Sequence, residues 1–252
     1  MDVYVINLKK SIERKNYIKQ LFIPYNQYFK LHFIEAVDCR NIPVHDLNKM
    51  YDQNRASEIY GRTLKGAEVG CALSHRKCCQ KLLESENDVV LVVEDDLVWQ
   101  NYDIIDILKR VEVAMKSAPP PMIVLLSGDY WFTTVEHHDG LQLANVREAV
   151  CSHAYLINRK AAERILSAEK CYLADDWYNF NKLGIKLQGV YPHIADQNRK
   201  DWLTEISEDY AGTIRENLSF LSKLHSYYRA VIKRVLLYTG HFESKIFLNK
   251  ND

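Results

Sequence analysis

Three consecutive carboxylates, Glu94, Asp95 and Asp96, follow directly on the aliphatic run Val89-Val90-Leu91-Val92-Val93. Like charges crowded together repel unless a cation or hydrogen-bond donors offset them. A hard divalent ion such as Mn²⁺ or Mg²⁺ takes carboxylate oxygen and commonly shares its coordination sphere with a substrate's phosphates. A solvated acidic turn is the alternative that the same spacing allows. The aliphatic run, with Val at four of its five positions, fits a strand buried on both faces of a parallel sheet. Ligands of open α/β sheets bind at the carboxyl ends of such strands, so the triplet stands where a metal and phosphate site belongs.

The elements around it alternate. Val3-Tyr4-Val5-Ile6 reads as a first strand ending at Asn7, and Ser11 reads as the cap of an amphipathic helix over 12–22. No Gly-rich dinucleotide fingerprint and no P-loop follows that strand. A second strand over 30–37 ends at Asp38, which either holds a ribose hydroxyl or starts a turn. Residues 41–65 read as a polar surface excursion with a short helix. Gly66 opens a strong helix over 67–84, on which Cys71, His75, Cys78 and Leu82 share one face and Glu68 lies near the N-terminus. On spacing alone His75 is a core histidine. Further along come a helix over 104–115, stopped by Pro119-Pro120-Pro121, and a strand over 122–126. An irregular aromatic segment runs from Tyr130-Trp131-Phe132 through His137-His138-Asp139-Gly140, and its rings could stack on sugar or fill the core. A strand over 150–157, a helix over 160–168, a helix opened by Ala174-Asp175-Asp176-Trp177 and a strand over 185–191 complete the pattern. It predicts a layered α/β fold with a mostly parallel central sheet flanked by helices.

With 252 residues, 47% of them hydrophobic, the chain can bury one substantial core but not two large ones. Lys and Arg number 33, as do Asp and Glu, so the basic excess of a nucleic-acid binder is missing and none is expected as a partner. Six cysteines without a CxxC pair predict reduced thiols and a cytoplasmic protein. Neither a secretory leader nor an apolar run of about 20 residues is expected to direct the chain into or across a bilayer. From about residue 213 the composition shifts. Arg215, Lys223, Arg229, Lys233, Arg234, Lys245 and Lys250 outnumber Glu216, Glu243 and Asp252, and leucines recur at helical intervals. This predicts a basic helical extension, 213–252, on a main domain of 1–212. Two readings are open for it: a peripheral anchor on the anionic cytoplasmic face of a membrane, or a helix docked on the protein's own core.

In order along the chain stand Val5-Ile6-Asn7-Leu8 with Ser11 and Arg14, Glu35-Ala36-Val37-Asp38, Gly66-Ala67-Glu68-Val69-Gly70-Cys71-Ala72-Leu73-Ser74-His75, Glu94-Asp95-Asp96, and His153-Ala154-Tyr155-Leu156-Ile157. In this combination the chain resembles glycosyltransferase family 25, the group of lipooligosaccharide galactosyltransferases, whose fold is similar to the GT-A class. The resemblance implies a UDP-sugar donor, commonly UDP-galactose, a Mn²⁺-type ion (or Mg²⁺), and a surface glycan, lipooligosaccharide or lipopolysaccharide as acceptor. It implies Asp96 as the direct metal ligand, with Glu94 or Asp95 on the ribose or the metal. Asn7, Arg14, Asp38, Glu68 and His75 become donor-site candidates. One departure is Cys39, where the family has Gly, because Cys does not share glycine's access to φ > 0.

Transfer with inversion needs a base for the acceptor hydroxyl, and a carboxylate commonly serves. Asp176 is favoured over Asp175, although either could merely cap its helix. His193 could complete the metal sphere or be a loop histidine, and Tyr130 and Trp131 are acceptor-stacking candidates. The expected activity is an inverting, metal-dependent hexosyl transfer. A non-catalytic nucleotide-sugar-binding protein and another metal-dependent nucleotide enzyme are the alternatives.

Overall fold

A computed structural model describes residues 1–100, 102–117, 120–138, 140–198, 201 and 218–244. Its first half runs β1 (Asp2–Asn7), α1 (Ile12–Phe22), β2 (Lys30–Glu35), α2 (Val44–Met50), α3 (Gln53–Tyr60), α4 (Gly66–Leu83), β3 (Val89–Glu94) and a short β4 (Leu97–Trp99). Then come α5 (Ile104–Ser117), β5 (Met122–Leu125), β6 (Asp129–His138), β7 (Leu141–Val150), β8 (Ala154–Asn158), α6 (Arg159–Ser167), α7 (Trp177–Lys182), β9 (Lys186–Val190), β10 (Ala195–Gln197), α8 (Phe220–Tyr238) and β11 (Phe242–Glu243).

Nine strands form one sheet in the order β11-β6-β7-β9-β5-β8-β3-β1-β2. β1 lies between β2 and β3, parallel to both, and β5 is parallel to β9. β8 enters antiparallel between β3 and β5, and the β6–β7 hairpin adds further antiparallel pairs. The layered α/β fold is the one expected, with a sheet of mixed direction. Strand alternation explains why both faces are covered: Val3, Val5, Leu91 and Val93 pack with α1 and α5 on one side. Tyr4, Ile6, Val90 and Val92 pack with α4, α6 and α7 on the other. The register pairs Ile6 with Glu94 and Asn7 with Glu35, so the carboxyl ends of three parallel strands open on one edge.

Helix α4 is pressed onto the loop after β2. A Cβ on Gly66 would stand 2.1 Å from the Cys39 carbonyl oxygen, and one on Gly70 would stand 2.4 Å from that of Val37. Four residues further, Ser74 Oγ accepts the Val37 N–H at 2.8 Å and donates to the Gly70 carbonyl at 2.6 Å. Residues 66, 70 and 74 thus make one helical stripe fitted to loop backbone. Cys39 needs no left-handed backbone, since among the described non-glycine residues only Cys151 has positive φ.

Several boundaries differ from expectation. Residues 41–65 hold two helices, α2 and α3, which build a small separate cluster with α4 around Leu47, Tyr51, Ala56, Leu64 and Val69. The aromatic segment expected to be irregular is strand β6, whose register shifts near Trp131 and Phe132 break its alternation. Asp139 lies outside the described residues. The strand expected over 150–157 is two, separated by a left-handed kink at Cys151 (φ 76°). Of the C-terminal stretch, Arg215, Glu216, Lys245, Lys250 and Asp252 lie outside the described residues, whereas α8 packs beside β6 and β11 extends the sheet edge. Residues 218–244 are therefore packed on the main domain through one side of α8 and through β11, which leaves the other side of α8 to be accounted for. Gly70→Ala, which must push the Val37 carbonyl aside, is expected to lower stability by about 1–3 kcal/mol, as overpacked sites do. A urea midpoint equal to the parent's would contradict this close fit.

Candidate active site

At the carboxyl edge a cavity of about 130 Å³ is lined by Arg14 from α1, by Val37 to Arg40 after β2, by Ala67, Cys71, Ser74 and His75 from α4, and by the acidic triplet. The stripe of α4 next to its glycines thus faces the cavity, and the tight loop contact holds it there. Of the three carboxylates, Asp95 is the most fully engaged. Its two oxygens accept from Asn7 Nδ2 at 2.7 Å and from Arg14 at 3.0 Å. Burial pushes its pKa up, and those two donors pull against it.

Asp96 is held differently. Its backbone carbonyl accepts from Asn198 N at 2.7 Å, and its Oδ2 accepts from Gln197 Nε2 at 2.8 Å with Arg14 at 3.5 Å. The β4–β10 ribbon, which pairs Leu97 with Gln197, places these partners. Oδ1 of Asp96 is buried with no hydrogen-bond partner among the described residues. Burial, reinforced by the neighbouring charge of Glu94, pushes the Asp96 carboxyl up to about 7. Glu94 goes the opposite way. Its burial favours the neutral acid, but hydrogen bonds from His75 and Ser152 and the nearby His153 outweigh it and hold the group well below the usual range.

Cys151, Ser152 and His153 form a hub between β7 and β8. Cys151 N donates to Asp175 Oδ2 at 2.9 Å and Cys151 O accepts from Trp177 Nε1 at 2.8 Å. Ser152 Oγ donates to Glu94 Oε1 at 2.7 Å, and the Glu94 N–H donates to the His153 carbonyl at 2.8 Å. Such bonds offset the cost, on the order of 1 kcal/mol, of a left-handed non-glycine residue. Ligand atoms of Glu94, Asp96 and His153 all lie within 4.8 Å of one another, as do those of Cys71, His75 and Glu94. The first group fits a divalent ion better. It contains the orphaned Asp96 oxygen, whereas burial keeps the Cys71 thiol protonated and His75 Nδ1 is engaged with Tyr155 Oη at 2.9 Å. One imidazole beside two carboxylates suits a Mn²⁺-type ion better than Mg²⁺, which prefers oxygen.

The other sequence candidates are distributed unevenly. Asn7, Arg14 and His75 surround the triplet, with His75 Nε2 3.4 Å from Glu94 Oε1. His75 is buried, bonded to and stacked on Tyr155 as a satisfied core histidine would be, and it also lines the cavity. Asp38 lines the cavity, but its carboxylate is taken by Arg40, whose hydrogen bonds bring it down to about 2. Glu68 is turned away from a donor role. Both its oxygens hold Arg62, at 2.7 and 2.8 Å, and one also accepts the Lys65 N–H, closing a capping box at the start of α4.

Asp176 is the N-cap of α7, accepting from Asn179 N and Nδ2 and from the Tyr60 hydroxyl, and it is not among the residues that line the cavity. Asp175, the less favoured of the pair, faces the hub, and burial together with the charges of Asp176 and Glu94 raises its pKa. His193 is drawn to the C-terminal strand instead of the metal cluster: its Nδ1 lies 2.9 Å from Glu243 Oε1. Tyr130 is fully buried with its hydroxyl on the Val190 carbonyl, and Trp131 packs against Phe242 beneath Lys233. Neither ring is presented to an acceptor beside the cavity. His153, Ser152 and Gln197 were not singled out from sequence as site residues. Only the place of His153 at the head of the motif His153-Ala154-Tyr155-Leu156-Ile157 hinted at it.

The raised Asp96 carboxyl has a consequence for stability. The unfolded acid loses its proton near 3.8 while the folded one keeps it to about 7, so between these values the unfolded state binds fewer protons and stability falls as pH rises. In chelator, Asp96→Asn is expected to unfold at higher urea than the parent at pH 8 and to lose that part of the pH dependence. Superimposable stability profiles over pH 4–8 would contradict the assignment.

The family model described as glycosyltransferase family 25 (LPS biosynthesis protein) matches residues 1–178. Among curated relatives, a glycosyltransferase 25 family member of Aedes aegypti is 29% identical over 40% of this chain and 17% of its own length. Human procollagen galactosyltransferase 2 is 26% identical over 40% of this chain and 16% of its own. Xenopus laevis procollagen galactosyltransferase 1-B is 25% identical over 67% and 28%. The chain spans less than a third of the length of these relatives. A solved structure of UTP-bound UGPase from Acinetobacter baumannii is 8% identical, covering 75% of this chain and 85% of that one at a TM-score of 0.38, a likeness too distant to bear on function. With the matched model reaching over more than two thirds of its residues, the chain belongs to glycosyltransferase family 25.

Proposed function

We propose that this glycosyltransferase moves galactose from UDP-galactose, with inversion, to a lipooligosaccharide, lipopolysaccharide or other surface glycan in a reaction that needs a divalent metal. One observation carries the reading: Glu94, Asp96 and His153 converge, with a buried carboxylate oxygen left unpartnered, beside a cavity at the carboxyl edge of the sheet. Glu94, Asp96 and His153 would hold the ion, Mn²⁺ by the character of the donors. When bound, such an ion supplies positive charge for the leaving diphosphate. The names of the procollagen galactosyltransferases support the sugar, and the family's description supports a lipopolysaccharide-type acceptor.

The chain's own groups divide the remaining work. Arg14 lines the cavity against Asp95 and Asp96, a fixed cation next to which a nucleotide diphosphate is stabilised. Asn7 holds Asp95, so that Arg14 is aimed by a carboxylate that cannot swing. His75, locked by Tyr155, fixes the neighbouring Glu94. Asp175 takes the proton of the acceptor hydroxyl. Its raised pKa brings proton affinity closer to neutral pH, and Asp176 keeps the helix behind it capped.

Assays of UDP release and sugar transfer with UDP-galactose, with and without Mn²⁺, test the proposal. Asp96→Ala is expected to cost at least about 100-fold in turnover, the usual loss for an electrostatic group of this kind. Asp175→Asn is expected to lower kcat about 100-fold or more while Mn²⁺ affinity stays within about threefold. Asp176→Asn, still able to cap, should keep most of the activity. Metal-independent turnover, or full activity in Asp175→Asn, would remove the corresponding role. Tight donor binding without turnover for any acceptor would point instead to a binding protein.

A further inference from the structure

Helix α8 is mounted with its polar side inward. Arg229 donates to both oxygens of Glu148, at 2.7 and 3.2 Å, and lies 3.9 Å over the Tyr178 ring. Lys233 stands 3.6 Å from the same carboxylate and 3.8 Å over Trp131, and His225 Nε2 meets the Tyr178 hydroxyl at 2.8 Å. These residues recur at four-residue intervals and fix one side of the helix against the hairpin and α7.

The opposite side is apolar and faces out. Phe220, Leu224, Tyr227, Val231, Val235 and Tyr238 fall on one stripe at 100° per residue, and Phe220, Tyr227 and Tyr238 are 78%, 69% and 86% exposed. A helix on the surface of a globular protein ordinarily shows the reverse orientation. A continuous stripe of large apolar side chains turned outward marks an interaction surface.

We propose that this stripe seats α8 in the headgroup region of an anionic lipid bilayer. The charge pattern selects that occupant. Not one of the 19 residues of α8 is acidic, and exposed Lys223 and Arg234 border the stripe on one side. Lipid phosphates complement such a border, whereas a second copy of the helix would bring like charges together. Tyrosines on the stripe suit the boundary between headgroups and acyl chains. No helix among the described residues is long and apolar enough to cross a membrane, so α8 lies along the surface. The proposal stands apart from the transferase reading, since no group of the cavity takes part in it.

The full chain, floated with vesicles of phosphatidylcholine alone or mixed with phosphatidylglycerol, tests it. Binding is expected to the anionic vesicles in about 50 mM salt and to weaken at least about tenfold in about 500 mM. The double variant Phe220→Ser, Leu224→Ser should bind about tenfold less, and Lys223→Glu or Arg234→Glu several-fold less. All four positions are exposed, and unchanged urea midpoints would verify that the fold persists. Ile12→Ser, a comparably exposed apolar site on α1, should bind as the parent does. UDP release in solution separates this result from any failure at the active site. Absence of binding to anionic vesicles at low salt, or equal binding by the double variant, overturns the proposal. So does self-association that the double variant abolishes in a chain that ignores vesicles.

Discussion

Burial of several carboxylates at the end of one strand is the constraint around which the molecule is arranged. Left alone, Glu94, Asp95 and Asp96 would repel one another in a region of reduced dielectric. The fold answers each separately. Asp95 is held by Asn7 and Arg14 and Glu94 by His75, Ser152 and the nearby His153, while Asp96 is left with one oxygen unclaimed and a proton held to near neutral pH. That uneven treatment leaves one buried carboxylate oxygen unclaimed beside Glu94 and His153, the feature on which the proposed cation site rests. Removing the surrounding donors would leave a strand end that could not stay buried.

Much of this was legible beforehand because it is local. The aliphatic run before Glu94, the helix after Asn7 and the face of Cys71, His75, Cys78 and Leu82 on α4 each reflect a pattern contained in one element, although the Ser11 side chain makes no cap hydrogen bond to α1. What escaped depends on pairing between distant segments. His153 reaches Glu94 only because β8 enters antiparallel beside β3, and Gln197 reaches Asp96 only through a three-residue ribbon. Bulges near Trp131 and Phe132 hid strand β6, although Asp139-Gly140 is a common hairpin sequence. The kink at Cys151 had no sequence signal, since cysteine is not among the residues enriched at positive φ. The two aspartates before Trp177 were ambiguous for a related reason. Helix capping and proton transfer ask for the same side chain, and only the partners of each carboxylate separate the roles.

The C-terminal stretch teaches a different point about amphipathicity. Periodicity showed that α8 has two unlike faces, but not which one turns inward. Glu148 decides it by drawing Arg229 and Lys233 against the hairpin. Glu148, together with the Tyr178 and Trp131 rings, thus holds the basic side of the helix inward.

The hub at Cys151 to His153 carries one more implication. Asp175 hangs from the Cys151 amide, Glu94 is gripped by the Ser152 hydroxyl, and the His153 carbonyl receives the Glu94 N–H. The two carboxylates are therefore held by three successive residues. Energetic effects of substitutions at Asp175 and at Glu94 must interact through that shared backbone, so a double-mutant cycle between them should be non-additive, although neither side chain bonds directly to the other.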